Sequence, residues 1–222
     1  MSNKSNVVRT AISGVGIVIS ILLAFAIEAS WDARTERLME EAVIEGIREE
    51  FGVNLVLIDE LLVEHRGANT TLIAFFAAPI PDSELDAESL VGDLTEGLLV
   101  GDLLDPSTGT LEMLVNSGRL DLISDPALRA LLWTWKRQVE DLEDDTAGMQ
   151  SNVRDNRLLL GRLGVRGINT DLLPSWREQF DRLRSSQELS AQARTVLVDR
   201  RFYQEELSIL RATTELVLAQ LD

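Results

Sequence analysis

The sequence contains no cysteine. Disulfides, iron–sulfur clusters and a thiol nucleophile are therefore excluded, and so is lipid attachment to a cysteine after Ala26. Histidine is nearly missing too, with His65 as the one example. A di-iron carboxylate bundle needs Glu-x-x-His pairs on two helices, and Leu62 stands where the glutamate would be. Any Ser-His-Asp triad would have to centre on His65. That residue falls on the apolar seam of a helical pattern and reads as a hydrogen-bonded, partly buried histidine. Lysine occurs only at Lys4 and Lys136. No Walker loop, zinc spacing or dinucleotide fingerprint is present. No catalytic, cofactor-binding or metal-ligating residue is assigned, and an enzyme is not expected.

Acidic residues, by contrast, are abundant. The net charge is −16, and residues 32–222 are more acidic than the whole, because Lys4 and Arg9 lie before them and Glu28 is the one acid there. Such a domain repels nucleic acid and anionic headgroups. The run Glu140, Asp141, Glu143, Asp144, Asp145 invites a calcium reading. An EF-hand begun at Asp141 would need glycine at its sixth position and glutamate at its twelfth, but Thr146 and Asn152 stand there. A solvated helix face is the better account.

One long uncharged stretch exists, Thr10 to Ile27. Its 18 residues span roughly 27 Å as a helix, close to the hydrocarbon thickness of a bilayer. A cleaved signal peptide ending at Ala24-Phe25-Ala26 is the competing reading. The length of the run, the bulky Phe25 and Ile27, and Trp31 at an interfacial position favour a transmembrane anchor. Ser13, Gly16, Ser20, Ala24 and Glu28 share one helix face, where small residues let a partner helix approach closely. These five residues are the candidate partner-binding face, which suits an integral membrane protein or a second copy of the chain. The basic residues at either end, Lys4 and Arg9 against Arg34 and Arg37, favour a cytoplasmic N-terminus and a periplasmic domain at a bacterial inner membrane.

The remainder reads as helices. Residues 1–9 form a short tail, 10–31 the anchor and 32–222 an acidic domain. Ile44, Ile47, Phe51, Leu55, Ile58, Leu62 and His65 repeat at three and four through about Arg66, continuous with the anchor as one rod with a bend near Gly52. The short apolar run 72–80 belongs in a helical core. Further helices are expected over Ala87–Leu99 and Thr110–Asn116, the latter stopped by Ser117-Gly118. Asp125 as N-cap and Pro126 at the first position start a long helix, whose seam runs from Leu128 through Trp135 to Leu163. Trp133 lies off that seam. With Trp31, it is an interface candidate. Gly161, Gly164 and Gly167 surround a break that ends this helix. A short helix over 175–183 follows. Ser185 and Glu188 form a capping box for the last helix, whose seam runs from Leu189 to Leu221. The fold class is all-α, an N-terminal transmembrane helix followed by an irregular antiparallel helical bundle.

Two stretches resemble a family of uncharacterised bacterial single-pass membrane proteins. They are Gly16-Ile17-Val18-Ile19 through Ala24 with Trp31-Asp32, and Ser117-Gly118-Arg119-Leu120-Asp121-Leu122-Ile123 with Leu128-Arg129. Trp31-Asp32 departs from the Trp-Asn of that junction. The resemblance implies an anchor running into a helical domain, and it implies no activity or site residue. The expected role is a non-enzymatic accessory or scaffold subunit of a larger membrane complex, such as a respiratory or photosynthetic one. The alternative is a periplasmic ligand-sensing bundle.

Overall fold

The computed structural model describes the backbone of residues 3–165 and 175–221, and the side chains of residues 22–143, 146, 148–165 and 175–221. Six α-helices make up nearly all of it: α1 (Asn3–Ala77), α2 (Glu84–Leu99), α3 (Gly109–Asn116), α4 (Pro126–Arg162), α5 (Trp176–Ser185) and α6 (Gln187–Leu221), with a 3-10 turn at Leu120–Leu122. No strand occurs among the described residues.

Helix α1 does not stop near Arg66. It continues unbroken through Gly52 and Gly67 to Ala77, because no proline interrupts it before Pro79 and the residue before a proline resists helical geometry. The apolar run at 72–80 is thus its last turns, with Leu72 and Phe75 fully buried. At the other end, residues 22–39 are exposed on all sides. Among the described residues no helix is long and apolar enough to cross a membrane. The described residues therefore do not support the transmembrane helix expected at Thr10–Ile27, and residues 10–21 of that run lie outside the described side chains.

The chain's stop and start signals act locally. Gly118 (φ +67°) and Gly164 (φ +82°) take the left-handed conformation that closes α3 and α4. In each, the next residue donates back to a carbonyl five residues earlier, Arg119 to Leu114 at 2.9 Å and Val165 to Leu160 at 3.0 Å, as in a Schellman cap. Asp125 Oδ1 accepts from Ala127 N at 2.8 Å and Pro126 opens α4. The capping box falls elsewhere than expected. Ser175 and Glu178 form it, at the start of α5. Ser185 is instead the last residue of α5 and donates to Asp181 O, Ser186 Oγ accepts from Leu189 N, and Glu188 pairs with Arg162. A two-residue shift in where α5 ends moves the cap from Ser185 to Ser186.

Cross-helix bonds define the topology. Asp59–Arg211 and Asn69–Arg200 run α6 antiparallel to α1. Trp135–Thr214 and Asn152–Asp199 run α4 antiparallel to α6. The irregular antiparallel bundle is therefore built on three long helices, with α2, α3 and α5 filling its ends. Its apolar interior has two halves. One joins Ile47, Phe51, Ile58, Leu111, Leu132, Trp135, Leu207 and Val217. The other joins Leu72, Phe75, Leu94, Leu98, Leu160, Phe180 and Leu189. Between Leu62 and Leu72 on α1, Met149 and Leu159 on α4, and Tyr203 and Val196 on α6, the buried positions are His65, Asn156, Arg200 and the small Ala68. A polar waist separates two apolar cores.

Candidate functional site

The waist is explained by the chain that crosses it. After α2 the backbone runs without helix from Val100 to Thr108. An extended segment inside a bundle cannot satisfy its own amides and carbonyls, and each one left unpaired costs free energy. Side chains from α1 and α6 satisfy several of them. Arg200 Nη2 donates to Val100 O at 2.7 Å. His65 Nε2 meets Asp102 O at 2.9 Å. A carbonyl can only accept, so this contact assigns the ring proton to Nε2. Tyr203 Oη accepts from Leu104 N at 2.8 Å. Asn54 grips Ser107 twice, its amide donating to the carbonyl and its oxygen accepting from the N–H, both at 2.8 Å. Asn156 donates to Leu98 O at 2.8 Å, satisfying one of the last carbonyls of α2. Glu50 accepts from Thr110 N and Leu111 N, filling the cap that Thr108 leaves empty.

Electrostatics follow from burial. His65 titrates below its ordinary range chiefly because burial disfavours the imidazolium, although the Asp102 carbonyl opposes that effect. Arg200 is lowered to about 10 by burial, with Glu64 opposing, and so stays charged. Tyr203 is pushed up to about 12 by burial, against the Leu104 hydrogen bond. Glu64 is raised by burial first and by Asp102 second. The waist therefore holds a neutral imidazole, a neutral phenol and one cation. Asn156 Oδ1 and Arg200 Nε have no hydrogen-bond partner. Both residues line one notch of about 10 Å³, with Asn152 and Val153 beside them. Among the described residues no cluster of three or more acids and histidine could hold a metal ion.

Of the residues singled out in the sequence, Ser13, Gly16 and Ser20 lie outside the described side chains. Ala24 and Glu28 are exposed on the free N-terminal part of α1, and the structure brings neither against another element. Trp31 is 71% exposed on the same rod and Trp133 50% exposed on α4. The periodicity of the sequence places His65 and Tyr203 correctly on buried seams but does not single out Asn54, Asn156 or Arg200. Asn54 takes the buried place assigned to Leu55, which is only partly buried. Arg200 was legible in principle, because it sits four residues after Val196 and three before Tyr203 on the buried face. Comparisons of the chain with protein-family models, curated proteins and solved structures find no match.

Proposed function

We propose that this chain is a non-enzymatic, membrane-anchored accessory or scaffold subunit of a larger membrane complex. The observation that carries the reading is the free rod. Leu22, Leu23, Phe25 and Ile27 are each about 60% exposed, and with the exposed Ala24 and Ala26 between them they cover every side of α1 at 100° per residue. A helix that is apolar all round needs an apolar surrounding on all sides, and this bundle offers it none. The uncharged sequence from Thr10 extends the same run toward bilayer length. The polar side chains of the waist are the other support. Their bonds go to the backbone of the Val100–Thr108 segment and of the end of α2, as structural groups do. The domain then faces the periplasm of a bacterial inner membrane, with the N-terminus cytoplasmic and integral membrane proteins as partners.

Membrane extraction tests this. The chain resists alkaline carbonate and co-purifies with other membrane proteins in mild detergent. Gly16→Leu with Ser20→Leu weakens that association while sparing insertion. Release by carbonate overturns the anchor. Recovery from detergent free of any other membrane protein overturns the accessory role.

A further inference from the structure

Helix α6 carries a second apolar face, turned away from its own bundle. Its buried face is Leu189, Ala193, Val196, Arg200, Tyr203, Leu207, Leu210, Thr214, Val217 and Leu221. At 100° per residue, Phe202, Ile209 and Leu216 lie roughly 120–160° from the centre of that face. They are seven residues apart, and all are 57–60% exposed. Val198, Glu205, Ala212 and Ala219 fall between them at heptad spacing, also exposed. With Thr195 the pattern runs 195–219, more than three heptads, the span at which it signals a coiled coil. Phe202, Ile209 and Leu216 take the a positions; Val198, Glu205, Ala212 and Ala219 take d.

We propose that this face pairs with the same face of a second copy, as a parallel two-stranded coiled coil. In a parallel pair each a residue meets its own counterpart, so three apolar layers form in register from one stripe. Alanine at two d positions lets the helices approach closely. The single charge in the stripe, Glu205, meets its own counterpart in the parallel pair, and Arg201, 3.0 Å away at the adjoining g position of the same helix, neutralises each. Burying the stripe on both helices removes on the order of 1,000 Å² from water, the size a specific interface needs. The parallel direction rests on the anchor proposed above. Because α6 is antiparallel to α1, a two-fold axis along the rods sends both N-terminal segments toward one bilayer; antiparallel pairing sends them opposite ways.

The absence of cysteine makes the test clean. Full-length Ile209→Cys in detergent, treated with a short bifunctional maleimide, gives a covalent dimer; Ser89→Cys, exposed on α2, gives none. Ile209→Glu halves the sedimentation mass while helicity is kept. Val198→Cys and Leu216→Cys, each alone, also cross-link to themselves. Cross-linking only when those two variants are mixed overturns the parallel arrangement. Wild-type monomer mass with native helicity overturns pairing itself. Loss of liposome binding by monomeric Ile209→Glu, with wild type also monomeric, assigns the face to lipid and overturns it equally. Carbonate extraction reads the anchor separately, so a dimer released by carbonate leaves the pairing standing and removes the anchor.

Discussion

Tyr203→Phe isolates one strut of the waist. The ring stays, with its edge contact to His65 (centroids 5.1 Å apart, planes at 71°) and its place in the larger apolar core. Only the hydroxyl goes. That hydroxyl accepts the Leu104 N–H at 2.8 Å, with both residues buried. No water reaches the amide to replace it, so the variant leaves a buried donor unpaired, at a cost of about 1–3 kcal/mol. Phenylalanine gains little in return, because the ring was already buried. At about 2 kcal/mol and roughly 2–4 °C per kcal/mol for a domain of this size, thermal unfolding falls by about 4–8 °C. Circular dichroism measures that shift. Hydrogen exchange gives the sharper readout, because the Leu104 amide loses protection beyond the global change. A melting temperature within a degree of wild type, with the Leu104 amide equally protected, would refute the argument that the polar waist exists to hold this segment.

Other perturbations separate the same physics. Gly97→Ala places a Cβ 2.9 Å from Leu72 Cβ and 3.0 Å from the Ala68 carbonyl, so overpacking of about 1–3 kcal/mol outweighs the gain in helix propensity. Gly52→Ala meets nothing within 4 Å and stabilises by about 0.5–1 kcal/mol; urea midpoints of the two variants should move in opposite directions. Thr214→Val removes the acceptor of Trp135 Nε1–H (2.9 Å, both fully buried) and costs about 1–3 kcal/mol, with the m-value unchanged. His65 binds its proton less readily folded than unfolded. Its contribution is complete above the unfolded pKa of about 6.5 and is lost as pH falls below that, by at most about 1.4 kcal/mol per pH unit. Glu64, raised by burial, acts with the opposite sign. The measurement is therefore the difference between wild type and His65→Gln from pH 7 downward, and a difference independent of pH would show that His65 titrates alike in both states.

Much of the bundle is written in local chemistry. Pro126 after Asp125 starts α4, Gly118 and Gly164 stop helices because the left-handed turn favours glycine, and the three-four repeat in α4 and α6 names their buried faces. These signals act within a few residues, so one chain displays them without its fold. The end of α1 was less legible. Gly67 and the polar residues around it resemble a stop, yet packing of Leu72 and Phe75 against α2 and α5 carries the helix on to Ala77.

Sequence alone determined the helices, their polarity, the acidic surface and the uncharged run at the N-terminus, because periodicity, caps and charge are properties of neighbours in the chain. Only tertiary structure decided what the polar seam residues are for. Asn54 and His65 come from α1 and Arg200 and Tyr203 from α6, and what unites them is a segment 100–108 whose backbone none of them adjoins in sequence; Asn156 of α4 holds the Leu98 carbonyl just before it. Tertiary structure also decided that α6 has two apolar faces. Heptad spacing can be counted in a sequence, but which of two stripes the bundle buries depends on where α1 and α4 lie.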